Sequence, residues 1–286
     1  MNGGAGQHDG NAGFVIATIG DNTIDRYIGD ESARYAGGNA YNVAAQLAGR
    51  GRAVAYFGAV GADANSRTIA RGLHRAGIEP VGLVTMAGPT AATTIRVDGG
   101  ERVFEREEFG VTADYFPSDA DLELLAKASW VHIGMLPRAG ELRARLASLG
   151  RRAGAANRPV VSQDCAVASG FTELDVAFGS VGERGDARAW AISALGAGAR
   201  SAVVTRGAAG AVATDGADWF EQRAVPVDVV DTTGAGDAFI AGFIAARLDG
   251  AEIPSALERG AHWAAAACSH RGGWPLARAD TSRART

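Results

Sequence analysis

Short apolar runs closing on or near glycine alternate with amphipathic segments along most of the chain. FVIATIG (14–20), AVAYFGAVG (53–61), WVHIG (130–134), VAFG (176–179) and SAVVTRG (201–207) are mostly apolar, as strands covered on both faces must be, and VVSQD (160–164) is a shorter run of the same kind. Between them lie helical patterns. Ala40, Val43, Ala44, Leu47 and Ala48 share one helix face, and Gly51 stops the run. Residues 66–77, 119–127, 139–154 and 186–196 repeat the helical spacing, and two Ala-rich helices, about 236–248 and 254–270, close the series. Strands alternating with helices predict an α/β fold, with a mostly parallel central sheet between two helical layers.

The exceptions cluster. Residues about 22–36 and 90–109 are polar, β-prone and outside the alternation, and Asp98-Gly99-Gly100 reads as a hairpin turn. A small β-lid over the carboxyl ends of the parallel strands accounts for both segments. TDGADWF (214–220) signals a second hairpin, with a strand expected at 225–229. One domain over 13–275 is expected, with disordered tails at 1–12 and 276–286.

Hydrophobic residues make up 47% of the chain and charged residues 21%, which is a globular composition with enough apolar mass for a large core. The net charge of −4 and the lack of a Lys/Arg cluster argue against nucleic acid and membrane surfaces as partners. No run is long and apolar enough for a membrane span, and no charged-then-apolar leader opens the chain, so a cytoplasmic protein is expected. Cys165 and Cys268 stand far apart without a CxxC pattern and read as reduced core thiols. His74, His132, His262 and His270 show no metal-ligand spacing. Lys127 is the only lysine, so any cationic contact to a phosphate must come from arginine, metal or backbone.

Chemistry concentrates in two stretches. In DTTGAGDAFIAGF (231–243), Gly234, Ala235 and Gly236 stand directly before Asp237 and an apolar helical run. The first amides of a helix lack intrahelical acceptors, and small residues let an anion approach them. Asp237, ionised beside that helix start, could accept a proton from an attacking hydroxyl. A plain Gly-rich turn with a first-turn acid is the structural alternative, and a dinucleotide fingerprint fails because Phe239 stands where a small residue is needed. In GGNAYNVA (37–44), Gly37, Gly38 and Asn39 form either a helix cap and nothing more or a polar floor for a polyol. Asp21, Asn22 and Asp25 follow the first strand, as turn residues or as acceptors for sugar hydroxyls.

GGNAYNVAAQLAGRG and DTTGAGDAFIAGF resemble the two signatures of the ribokinase-like sugar kinases, the PfkB family, in the right order and at the right separation, and the likeness runs over about 14–274. The resemblance implies a ribokinase-like three-layer sandwich, ATP and magnesium, and transfer of the γ-phosphoryl group to a sugar hydroxyl. It implies Asp237 as the base, with Gly234, Ala235 and Gly236 as the anion hole. Asp21, Asp25, Gly37, Gly38, Asn39 and Asn42 would hold the sugar. VVTRGAAG (203–210) resembles the nucleotide-side turn, with Thr205, Gly207 and Gly210 near the phosphates and Ala261 and Ala265 at the adenine. Asp231 and Thr233 match a loop that binds a monovalent cation such as potassium, with Gly273 as a second wall.

One departure stands out. Where the family carries Asn-x-x-Glu before the nucleotide site, this chain has SVGE, with Ser180 for Asn and Glu183 to hold magnesium through water. The strings IGDN, TADYF and DGADWF are similar to family members that act on fructosyl amino acids at the 6-hydroxyl. Acids of the lid, Glu105, Glu107 and Glu108, could receive the ammonium groups of such a substrate; Arg96, Arg102 and Arg106 read as solvated lid charges, and Asp164 as a further candidate at a strand end. Fructose, ribose, a 2-keto-3-deoxy sugar acid or a nucleoside are the other acceptors, and a non-catalytic sugar-binding regulator is the alternative of a different class. A homodimer through the lid is also expected, because pairing would hide the lid's edges.

Overall fold

The computed structural model describes residues 16–29, 33–78, 80–98, 101–153, 158–167 and 169–274; the expected tails and the Gly99-Gly100 turn lie outside the described residues. In chain order the elements that matter begin with strands β1 (Ile16–Ile19), β2 (Thr23–Gly29) and β3 (Ala33–Gly37), followed by helix α1 (Asn39–Ala48). Strand β4 (Val54–Gly61), helix α2 (Ala64–Arg75) and strands β5 (Gly82–Met86), β6 (Ala92–Asp98) and β7 (Glu101–Glu108) come next. After a 3-10 turn at Gly110–Asp114 come α3 (Asp119–Leu125), β8 (Trp130–Ile133), α4 (Ala139–Ala153), β9 (Val160–Asp164), β10 (Val176–Ser180) and α5 (Ala187–Gly196). The chain finishes with β11 (Ala202–Thr205), β12 (Ala211–Thr214), β13 (Trp219–Gln222), α6 (Ala235–Leu248) and α7 (Ile253–Cys268).

Nine strands form one sheet in the order β13-β12-β11-β10-β9-β8-β1-β4-β5. It is parallel from β11 to β5, and β12 and β13 add an antiparallel edge. Strand β1 explains how the pattern is read in space. Ala17 and Ile19 point into a core shared with α3, α4 and α5, while Ile16 points into one shared with α1, α6 and α7. Helix α6 is apolar nearly all round because it is buried nearly all round, from Ala238 to Ala246. Gly242 lets α7 come close: a Cβ there would stand 2.9 Å from the Gly260 Cα.

The other four strands form a separate sheet, β3-β2-β6-β7. These are the two segments that stood outside the alternation. Ile24, Tyr27, Tyr35 and Ile95 pack this sheet onto α1 and α2. In the large sheet the strand order reverses at β1, which sits between β4 and β8, so a crevice opens at the carboxyl ends of β1 and β8.

One expectation fails, and one strand goes unpredicted. No strand forms at 225–229; Pro226 cannot donate to a ladder, and the segment runs as irregular chain past β13. The edge strand β5, in GLVTM, escaped the pattern because Val84 is exposed and Gly82 is small, so the run does not look buried.

Candidate active site

Asp21 lies two residues past the end of β1, and both its oxygens are engaged. They accept the backbone N–H groups of Asn39 (2.7 Å), Ala40 (3.1 Å) and Met135 (3.1 Å). Asp21 therefore caps α1 from across the crevice and ties it to the loop after β8. That role was open to Asn39 on sequence, but the N-cap residue is Gly38, which has no side chain to give. Gly38 is extended with positive φ (φ 109, ψ 146), and a Cβ there would meet the Asn22 Cα at 2.6 Å.

Released from capping, Asn39 turns into the crevice. Its Nδ2 donates to Asp164 Oδ2 (2.7 Å) and to Asp237 Oδ1 (2.6 Å), while Asn42 Nδ2 donates to Asp237 Oδ2 (2.8 Å). The carbonyl oxygens of both asparagines have no hydrogen-bond partner although they are buried. Asp237 sits in the first turn of α6, and the turn before it contains Gly234 in the left-handed region (φ 73). A Cβ at Gly234 would stand 2.5 Å from the Gly273 Cα, whereas one at Gly236 would meet nothing within 4 Å. Gly234 is thus required by the backbone, and Gly236 only by whatever approaches it.

Two cavities meet at this turn. One, of about 280 Å³, lies under the lid and is lined by Asp21, Asp25, Gly38, Asn39, Asn42, Thr233, Gly234 and Asp237, among others. The second, of about 630 Å³, is lined by Thr205, Gly207, Gly210, Ala261 and Ala265, with Ser180 and Glu183 at one side and Ala235 and Gly236 at the other. The residues singled out in the sequence thus separate into two groups, one on each side of the α6 start. Asp231 and Gly37 line neither cavity. Asp231 is a strut: its oxygens accept N–H from Thr233 (2.6 Å) and Gly272 (3.0 Å). Gly37 lies beside Asp25, whose carboxylate a Cβ would strike at 2.7 Å.

Asp237 does not rest in an ordinary state. Burial raises its pKa well above the usual carboxylate range, the charges of Asp164 and Asp21 add to the rise, and the Asn42 and Asn39 donors oppose it. The helix terminus alone is expected to favour the ionised form, and burial works in the opposite direction. Asp164 is pushed up to about 6, chiefly by burial, and Asp21 is raised by burial against its three amide contacts. A base must be deprotonated to act, so the acid limb of kcat/KM is expected to lie well above the ~4 of a free carboxylate. Asp164→Asn keeps an acceptor for Asn39 but removes a charge, and is expected to shift that acid limb to lower pH. An unmoved limb in the pH profile of kcat/KM would remove Asp164 from the coupling.

Sequence reasoning missed several lining residues. Thr93 and Thr112 face the smaller cavity, and Thr112 Oγ1 is buried without a partner. The segment expected as a strand supplies Val225, Pro226, Val227 and Val229 to the larger cavity. Asn22, read as a possible sugar contact, donates to Ala59 O (2.8 Å) and Tyr56 Oη (3.0 Å) and braces β4. His132 lies in the core, neutral, with burial lowering its pKa to about 3. Cys165 and Cys268 are free and half-buried, and Cys268 borders the larger cavity. Arg96 and Arg106 are exposed and paired with Glu105 and Glu108; the Arg102 side chain lies outside the described residues. Among the described residues no cluster of His, Cys, Asp and Glu could hold a metal by itself, and no helix is long and apolar enough to cross a membrane.

Residues 25–275 match the family described as pfkB family carbohydrate kinase. The chain is 33% identical over 261 residues to a fructoselysine 6-kinase of Shigella flexneri, covering 91% of this chain and 99% of that protein. It is 28% identical over 268 residues to a fructosamine kinase of Bacillus subtilis, covering 88% and 90%. A solved ribokinase of Arabidopsis thaliana, complexed with ribose and ATP, superposes with a TM-score of 0.77 at 22% identity over 90% of this chain and 93% of that one.

Proposed function

The chain belongs to the pfkB family of carbohydrate kinases and is an ATP-dependent sugar kinase, and from that premise we propose that it phosphorylates the 6-hydroxyl of fructoselysine or a related fructosyl amino acid. The observation that carries the kinase chemistry is the position of Asp237 where two cavities meet. The substrate class is supported by relatives that match this chain over nearly their whole length.

The acceptor sugar lies in the smaller cavity with its hydroxyl at Asp237. The unpartnered carbonyl oxygens of Asn39 and Asn42 accept from neighbouring hydroxyls. The nucleotide lies in the larger cavity, with its phosphates at the α6 start. The hydroxyl oxygen forms a bond to the γ-phosphorus as the bridge to the β-phosphate breaks, and the hydroxyl proton passes to Asp237 Oδ. The Ala235 amide is taken by the Thr232 carbonyl (3.2 Å), so of the expected anion hole the Gly236 amide, joined by that of Asp237, has no i−4 carbonyl to serve and is left for the phosphoryl oxygens. Magnesium, when bound with the nucleotide, neutralises phosphate charge. Glu183 and Ser180 fit an ion that keeps most of its waters, since they bring one carboxylate and one hydroxyl to the cavity wall. Asp231 braces the loop through Thr233 and Gly272, and no step here uses a monovalent cation.

Gly236→Ala separates this reading from a structural one. The new methyl meets nothing, and alanine is the better helix former, so stability is expected to hold or rise by up to about 1 kcal/mol. The methyl stands in the path of the phosphoryl group, so kcat is expected to fall about tenfold or more. Unchanged turnover in this variant would dismiss the anion hole.

The test of function is ADP release with ATP and magnesium across fructoselysine, other fructosyl amino acids, fructose, ribose, 2-keto-3-deoxygluconate and adenosine. The highest kcat/KM is expected with the fructosyl amino acids, and phosphate at the 6-hydroxyl. A higher value with another sugar would keep the mechanism and discard the substrate. Sugar binding without ADP release would point to a regulator.

A further inference from the structure

The lid places its acids unequally. Register across the small sheet runs Asp25–Thr93–Glu107, so these three side chains share one face, and all three line the smaller cavity. Glu105 is the extra residue where the β6–β7 register shifts, pairs with Arg96 at 2.6 Å, and does not line the cavity. Glu108 is paired with Arg106 at 3.0 Å and lies 3.8 Å from Arg26. Among the described residues Glu107 has no ion pair.

Two further observations point to what it meets. No Lys, Arg or His lines this cavity, although six carboxylates do, so it repels sugar acids and sugar phosphates and attracts a cation. Thr112, 2% exposed and among the residues lining the same space, holds a buried hydroxyl without a partner, and such a hydroxyl marks a place for a ligand atom. At the mouth, Phe109 and Val167 are exposed apolar side chains.

We propose that Glu107 is a specificity-determining residue that pairs with the ammonium borne by the substrate's amino-acid arm, whose methylenes lie on Phe109 and Val167. The inference rests on the fructosyl amino acid reading above. It selects an aminated sugar over the parent ketose, and a cationic arm over an anionic one.

The experiment compares kcat/KM for fructosyl-lysine with that for a 1-O-alkyl fructose, in which oxygen replaces the amine nitrogen, measured as a substrate or as a competitive inhibitor. A fructosyl alkylamine without an amino-acid head group shows whether the ammonium beside the sugar or the one at the far end is read. In Glu107→Gln the preference for the aminated sugar is expected to fall about five- to tenfold, in KM rather than kcat, and Glu107→Asp to restore part of it. The wild-type preference is expected to shrink with salt, because the cavity mouth is open to solvent. Glu107→Lys is expected to cost more. If the preference is the same in wild type and Glu107→Gln, the inference fails while the kinase reading stands. If the wild type turns over no fructosyl amine, both fall.

Discussion

Asp237→Asn is expected to lower kcat by about 10³-fold while leaving sugar and ATP affinities within a few-fold, because it removes the proton acceptor and little else. The local geometry argues that this variant folds. Asn39 and Asn42 each aim Nδ2 at one Asp237 oxygen, so an amide at 237 turns one contact into a donor facing a donor. Asn42 can flip, since its carbonyl oxygen is free of a partner and its amide serves Asp237 alone, and the flip restores the pair; Asn39 stays, because its amide also serves Asp164. The substitution also removes a buried acid crowded by the charges of Asp164 and Asp21. Melting temperature is therefore expected to match or exceed the wild type, and ADP release with the best acceptor reads the loss. Equal turnover in the two proteins would remove Asp237 as the base.

Gly38→Ala is expected to be among the most damaging small changes in the fold. The residue holds φ 109 and ψ 146, a conformation essentially reserved for glycine, and the new Cβ would lie 2.6 Å from the Asn22 Cα and 2.9 Å from the Asp21 carbonyl oxygen. These are backbone atoms, so no side chain can move aside. The start of α1 must shift, and with it the Asp21 contacts to Asn39 and Ala40. A loss of about 3 kcal/mol or more is expected, or roughly 6–12 °C in Tm, together with weakened sugar binding. Gly51→Ala is the control. It also has positive φ (80°), but its Cβ meets nothing, so only the left-handed cost of about 1 kcal/mol applies. Denaturant melts of the two variants test the difference; equal losses would mean that the close approach at Gly38 carries no energy.

Much of this architecture was legible because burial on both faces leaves an unbroken apolar run, as in FVIATIG and AVAYFGAVG, and burial on one face leaves a helical stripe, as in α1. The pattern fails where burial is partial or is not against protein. Strand β5 is a half-exposed edge, and the valines of 225–229 wall a cavity, so an apolar string meant one thing in sequence and another in space. In the site, the bare turn before Asp237 was readable because stripping side chains from a helix start has few purposes. Asn39 was ambiguous. Spacing shows that it begins a helix, not that a carboxylate eighteen residues earlier supplies the cap and frees the amide for chemistry. Thr93 and Thr112 were invisible for a different reason: strand register and a 3-10 turn bring them to the cavity, and neither leaves a mark in composition.

The bridge from Asn39 to two carboxylates bears on economy in the cell. With no sugar present, burial and then the neighbouring acids hold the Asp237 pKa up, and the two asparagine amides occupy its oxygens. A water molecule that strays into the crevice therefore finds the base already engaged. Entry of the acceptor must displace those contacts before a hydroxyl can be activated. The same arrangement that makes the base hard to ionise is therefore expected to slow hydrolysis of ATP when no acceptor is bound.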